Sequence, residues 1–437
     1  MTTASMPTGA QEQTRTRPAH RRRRTRLVLT TSLLALTALV TTIDQPTGAA
    51  AAPTRTRSAA WQSIATQRAQ LDKLAQEVVK AGAPGVIVRV DDGTGRPVEI
   101  AEQAAWSRSD HLLGAGDEFR MASNTKTMMA TLVLQLVAEG KLALTDPVDK
   151  WLPGQVPNGK AITLRMLLNH TSGLFDYAED SRLVPAILGK DRHRWTPAEL
   201  LAVGVGHDPL FAPGTQFSYS NTNYVAIGAV LEKATRSSLS ELVQDRIARP
   251  LNLKHTYYAA DSSWRGAHAH GYEPDAAHMS SDVPAEFRDF AGPHRHGHVD
   301  VSGNDPSWGA SAGAVVSTAP DWSRFYNALM SGKLLPAAQL AELRTTVPQD
   351  PEQPDGPGYG LGIQTGDTPC GTIWGHDGGM PGYLTANVTN STGNRTATLL
   401  ISTESWSEFG SEPKIAAAAQ SLQTAVICSM FGKPVPG

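Results

Sequence analysis

The sequence predicts an α+β domain whose sheet takes strands from both ends of the chain. Three observations carry that prediction. Two β-rich runs lie early, Val86–Val90 and Val98–Ile100. A long middle, from Pro147 to about Pro250, alternates helical runs with Pro/Gly loops. Two more β-rich runs lie late, Leu384–Val388 and Thr396–Ser402, joined by Asn390-Ser391-Thr392-Gly393-Asn394. Strands at both ends around a helical interior point to one domain with a mostly antiparallel sheet.

The elements follow in order. Apolar residues at Trp61, Ile64, Leu71, Leu74, Val78 and Val79 recur at helical spacing, predicting an amphipathic helix within 53–83 that leads into the fold. Gly82-Ala83-Pro84-Gly85 ends it and opens the main domain, 84–437. Asp91-Asp92-Gly93 turns the first strand into the second. Ser123 to Glu139 reads as a helix stopped by Gly140, and Asp321 to Leu329 as another, capped by Ala319-Pro320. Ala259 to Asp305 is rich in His, Asp and Gly and reads as loop. Ile415 to Met430 closes the chain as a helix with one apolar face.

The first 52 residues read differently. Arg21 to Arg24 and Arg26 precede an apolar run from Leu27 to Val40, then Pro46 and the small residues Gly48 to Ala52. Basic start, short apolar run and small-residue cleavage site make a secretory signal, so the expected location is secreted, in the extracellular cell-wall space. A run of about 14 residues is short of the ~20 that span a bilayer, so no stable anchor is expected after cleavage. The paired arginines also permit the twin-arginine route. The net charge of the chain is -2, and with seven arginines concentrated in the first 50 residues the body is mildly acidic. That balance gives no reason to expect nucleic acid as a partner. Only Cys370 and Cys428 occur. In an oxidising compartment a lone pair bonds to itself; two buried thiols are the alternative.

Candidate chemistry begins at Ser123-Asn124-Thr125-Lys126. Positions i and i+3 share a helix face, so a lysine deprotonated by its surroundings can take the proton of a serine hydroxyl. Taken alone, the same four residues would suit an N-capping serine beside a solvated lysine. Tyr219-Ser220-Asn221 adds a phenol and an amide two residues apart, and a phenol acts as a base only beside a cation. Trp374-Gly375-His376-Asp377-Gly378-Gly379 adds a titratable donor on a strand that glycines leave open to close approach.

Ser-x-x-Lys, Tyr-x-Asn and His-x-Gly, in that order, resemble the serine D-alanyl-D-alanine carboxypeptidases and class C β-lactamases, with their related esterases. The resemblance runs from about Gly85 to Cys428 and includes Asn169-His170-Thr171-Ser172-Gly173-Leu174, Leu144-Thr145-Asp146-Pro147-Val148 and Gly360-Leu361-Gly362. It implies a β-lactamase/transpeptidase-like fold: an antiparallel sheet of about five strands flanked by helices, beside a mostly helical subdomain. It implies an acyl-enzyme on Ser123, with Lys126 and Tyr219 catalytic, and Asn221, His376, Gly378 and Gly379 binding substrate. The amides of Ser123 and Gly379 would form the oxyanion hole. It implies no metal or organic cofactor, a Cys370–Cys428 disulfide, and a monomer acting on a small peptide, β-lactam or ester. A secreted D-alanyl-D-alanine carboxypeptidase is the expected activity, with esterase or β-lactamase as alternatives and a penicillin-acylated sensor behind them. Two departures bear on substrate: Gln364 stands where such carboxypeptidases place a carboxylate-binding arginine, and Asp377 where they place a small hydroxyl residue.

Two other patterns compete. Gly309-Ala310-Ser311-Ala312-Gly313 matches the Gly-x-Ser-x-Gly nucleophile elbow, which needs a strand before it and a helix after it. His294, His296 and His298, with His268 and His270, could suggest a metal site, but alternate residues in a Pro/Gly loop do not fix ligand geometry. They read as solvated loop histidines.

Overall fold

The computed structural model describes residues 57–259, 261–281, 283–403 and 413–434. The predicted signal, 1–52, lies outside the described residues. Among those described, no helix is long and apolar enough to cross a membrane.

The sheet has eight strands. They are β1 (Gly85–Asp91), β2 (Val98–Gln103), β3 (Val347–Pro348), β4 (Gly358–Tyr359), β5 (Gln364–Thr368), β6 (Gly371–Met380), β7 (Tyr383–Thr389) and β8 (Thr396–Ile401). The order is β2-β1-β8-β7-β6-β5-β4-β3, with antiparallel pairing throughout. The expectation of about five strands falls short by three at one edge: β3 and β4 have two residues each, too short to show an alternating pattern, and β5, Gln-Thr-Gly-Asp-Thr, is polar and glycine-containing and carries no apolar alternation. The predicted late hairpin is β7–β8, and the early turn joins β1 to β2.

Period-two alternation divides the sheet's surfaces. Val86, Val88 and Val90 of β1 face one side with Ile100, Leu399 and Ile401, under helix α1 (Arg57–Lys80) and the C-terminal helix (Pro413–Met430). The register Val88↔Leu399 and Val88↔Ile100 keeps these side chains together. Ile87 and Leu400 face the other side, where they join the large core shared with the helical region. That core contains helix α2 (Thr125–Ala138), helix α3 (Asn221–Thr235) and helix α4 (Ala319–Met330). Helix α4 matches the predicted helix, but its cap is Thr318, whose side chain accepts from the Asp321 amide. A Cys370–Cys428 disulfide ties the start of β6 to the C-terminal helix.

The segment read as loop between Ala259 and Asp305 holds a small three-stranded sheet, Tyr272–Pro274, His294–Arg295 and His298–Asp300. Its histidines spread over the surface: His270 meets Asp300, His278 meets Asp275, and His298 stacks on Trp106. Among the described residues no group of three or more His, Cys, Asp or Glu converges to hold a metal ion.

Candidate active site

Ser123 stands in a single 3-10 turn, Ala122–Asn124, that runs directly into α2. Ala122 has a positive φ of 46°, a conformation costly for a residue with a Cβ and retained only where the surroundings impose it. The surroundings here are strands. Asn124 Nδ2 donates to Thr385 Oγ1 on β7 at 2.7 Å, and Asn387 Nδ2 donates to Asn124 Oδ1 at 3.1 Å. Thr127 Oγ1 donates to the Gly362 carbonyl at 2.6 Å. Gly378 lets β6 come close: a Cβ there would lie 2.8 Å from the Ser123 amide nitrogen. The Ser123 turn and the His376–Gly379 strand therefore meet because that turn is bonded to and packed on the sheet, and the Tyr219–Asn221 segment joins them through the bond from Lys126 Nζ to Asn221 Oδ1.

Lys126 is completely buried, and its Nζ lies 3.1 Å from Ser123 Oγ, 2.8 Å from Asn221 Oδ1 and 2.9 Å from the Ala312 carbonyl. The last two are acceptors only, so they hold two amine protons. A neutral amine then turns its lone pair toward Ser123 Oγ and can take the hydroxyl proton. Burial brings Lys126 down to about 7, opposed by the charges of Asp176 and Asp377. The Tyr219 ring lies with its centroid 4.8 Å from Nζ, within cation–π range.

Tyr219 is positioned by His170. The Ser218 amide donates to the His170 carbonyl, and the Ser220 amide to His170 Nδ1 at 3.1 Å, while the two rings stand 4.3 Å apart. His170 Nδ1 also accepts from Asn223 Nδ2. An imidazole nitrogen that accepts carries no proton, so the proton sits on Nε2, which donates to Tyr359 Oη at 3.1 Å. Tyr359 in turn donates to His376 Nε2 at 2.9 Å, and His376 Nδ1 donates to the Asp377 carbonyl at 2.6 Å. Both histidines are neutral. Burial, then Lys126, pushes His376 down to about 3 and His170 well below the usual histidine range.

This placement differs from the expectation for His376. Its side chain is fully buried, and both its nitrogens are engaged inside the protein rather than turned to a ligand. Asp377, whose Oδ1 lies 3.6 Å from His376 Nδ1, keeps 18% side-chain exposure, and burial raises its carboxyl to about 7. Gln364, opposite Gly375 on β5, is buried. Asn221 begins α3 and spans Lys126 and Asp176, accepting from the first and donating Nδ2 to Asp176 Oδ2 at 2.9 Å. Gly379 follows Gly378 on β6, half-exposed.

Sequence reasoning missed Asp176 and Tyr359. Asp176 carried one signal, a lone acid inside the apolar stretch Leu174-Phe175-Asp176-Tyr177 right after the quoted Ser172-Gly173-Leu174 segment. Tyr359 carried none, since its role depends on two histidines distant in sequence. The Gly-x-Ser-x-Gly pattern fails its structural requirement: the 3-10 turn Ser307–Gly309 precedes Ser311 where a strand is needed, and Val315–Ser317 is a strand after it.

A buried serine and lysine at the foot of a helix, facing a sheet strand across a tyrosine, give the outline of the serine β-lactamase/transpeptidase superfamily. The chain matches the Beta-lactamase family over residues 71–421 and belongs to it. It is 34% identical to the D-stereospecific amidohydrolase from a Streptomyces species, a likeness with a TM-score of 0.68 that covers 80% of this chain and 98% of that one. It is 28% identical over 327 residues to penicillin-binding protein 4* from Bacillus subtilis, covering 72% of this chain and 65% of that protein. It is 30% identical over 264 residues to the esterase EstB from Burkholderia gladioli, covering 56% of this chain and 65% of that protein. The chain thus spans just under two thirds of the length of these two curated relatives. The proteins it resembles include a penicillin-binding protein, an esterase and an amidohydrolase.

Proposed function

We propose that this chain is an exported serine amidohydrolase or esterase that acylates Ser123 with substrates lacking a free carboxylate beside the scissile bond, amides and esters of D-amino acids foremost. The observation that carries this reading is the fate of His376. Both its nitrogens are committed inside the protein, the ring is neutral, and the next residue is the acid Asp377. A substrate carboxylate arriving there would meet an acid, with Gln364 buried behind it, instead of a cation. The D-stereospecific amidohydrolase from Streptomyces, of which this chain covers 98%, supports the amide and the D configuration.

In this reading Lys126 takes the proton of Ser123 as Oγ attacks the substrate carbonyl. The amides of Ser123 and Gly379 hold the developing oxyanion. Tyr219 passes a proton to the departing amine or alkoxide, Asn221 holds Lys126 in place through Oδ1, and Gly378, without a Cβ, lets β6 close on the Ser123 turn. Water then hydrolyses the acyl-enzyme. Export follows from the basic and apolar start of the chain, and a bonded Cys370–Cys428 pair fits an oxidising compartment.

A second reading, a D-alanyl-D-alanine carboxypeptidase that binds penicillin, draws support from penicillin-binding protein 4*. One experiment separates them: the full chain is given D-phenylalanine amide, its L enantiomer, a D-Ala-D-Ala peptide and benzylpenicillin in parallel, with Ser123 followed by intact mass and peptide mapping. Turnover of the D-amide, abolished in Ser123→Ala, is the expected result. Turnover of the D-Ala-D-Ala peptide alone, with a lasting penicillin adduct on Ser123, favours the carboxypeptidase and overturns the first reading.

A further inference from the structure

Asp176 is buried, and its carboxylate oxygens have two neighbours of different kinds. Oδ1 accepts from the Ala178 amide at 3.0 Å, capping the short turn Tyr177–Glu179. Oδ2 accepts from Asn221 Nδ2 at 2.9 Å, and Asn221 Oδ1 accepts from Lys126 Nζ at 2.8 Å. A cap needs an acceptor, not a charge; a serine or asparagine serves it without burying a carboxylate. A buried carboxylate is tolerated where a cation shares its field, and the cation here is Lys126, one amide away.

We infer that Asp176 is a positioning residue of the acylation step: through Asn221 it sets which way the amide faces Lys126 and holds the proton affinity of that amine where it can take and return the Ser123 proton. The amide orientation follows from the bonds. A carboxylate can only accept, so it draws Nδ2 and leaves Oδ1 for the lysine. The charge acts in the same direction. Lys126 is faced by Asp176, by Asp377 on β6, by the rings of Tyr219 and Tyr224 at 4.8 and 5.5 Å, and by the neutral His170 and His376. Burial lowers the lysine, and Asp176 is first among the charges that hold it up. Burial likewise raises Asp176, to about 6, against the pull of Lys126 and its hydrogen bonds. Without Asp176 the amine would lose its proton more readily and would be a weaker base.

This inference rests on the proposed role of Lys126, and the test keeps the two apart. The rate of Ser123 acylation by a chromogenic acetate ester is followed against pH in the full chain, in Asp176→Asn, which keeps one acceptor oxygen for the Ala178 amide and removes the charge, and in Asp176→Glu. Asp176→Ser is the second neutral variant should Asp176→Asn not fold. The expected result is an acid limb displaced to lower pH by about one unit in the neutral variant, with a plateau lowered by roughly tenfold because the base is weaker. Asp176→Glu keeps the wild-type limb. An unmoved limb in a folded neutral variant, whatever its plateau, reduces Asp176 to a cap and overturns the inference alone. Undiminished acylation in Ser123→Ala overturns the reading of the site and the inference with it.

Discussion

Ser123 and Ser311 each follow an alanine with positive φ, 46° at Ala122 and 37° at Ala310, each stand in a short helical turn, and each is buried, 7% and 0% exposed. Their backbones alone do not tell them apart. Their neighbours do. Ser123 Oγ meets the amine of Lys126, whose other contacts are acceptors that orient it. Ser311 Oγ has no hydrogen-bond partner among the described residues and is packed against Gly228 of α3. The turn that holds Ser311 still serves the site, through a backbone carbonyl: Ala312 accepts from Lys126. A strained turn and a serine are therefore insufficient for nucleophilic chemistry, and what separates the two regions is the company of a buried base.

The comparison breaks most directly by exchange of each hydroxyl. Ser123→Ala is expected to lower ester hydrolysis by about 10³-fold or more, as loss of a nucleophile does. Ser311→Ala is expected to leave it within about threefold, since no hydrogen bond is removed. Steady-state kinetics on the two folded variants decide it, and the reverse ranking would restore the nucleophile-elbow reading.

A second prediction sharpens the account of Ser311 as a packing residue. A methyl at Gly228 would overlap Ser311 Oγ, so Gly228→Ala should destabilise the chain by about 1–3 kcal/mol in urea unfolding. Adding Ser311→Gly should recover most of that loss, because the two sites share one space. Simple additivity of the two changes would show that the clash lies elsewhere.

The third and smallest effect concerns the buried ionisable groups around Ser123. His376 is held down to about 3, below the ordinary value near 6.5 that it regains on unfolding. Between those values the unfolded chain binds a proton that the folded chain refuses, so folded stability drops as pH falls through that window. His376→Gln removes this term. The stability of wild type relative to His376→Gln should therefore decline by up to about 2 kcal/mol between pH 7 and pH 5. A constant difference across that range would mean that the histidine is charged in the folded state.

The sequence by itself determined the order of elements and the kinds of residue that meet at the site. Alternating valines marked β1, the Asn/Gly turn marked β7–β8, and helical spacing marked α1, α4 and the C-terminal helix; these signals are local, and local sequence suffices to produce them. Ser123, Lys126, Tyr219 and Asn221 were legible for the same reason, because each lies within a short segment whose residue types suit one chemistry. Only tertiary structure decided the rest. The edge strands β3 and β4 exist because β5 offers them a partner, not because two residues carry a pattern. His376 looked like a donor for a ligand, and its neighbours Tyr359 and His170, 17 and 206 positions away in the chain, turned it inward. Asp176 went unread in the sequence, and only folding placed it one amide from Lys126. Proton affinity and hydrogen-bond direction depend on what surrounds a group in space, and burial and partners of that kind are written across the whole chain rather than in any one segment of it.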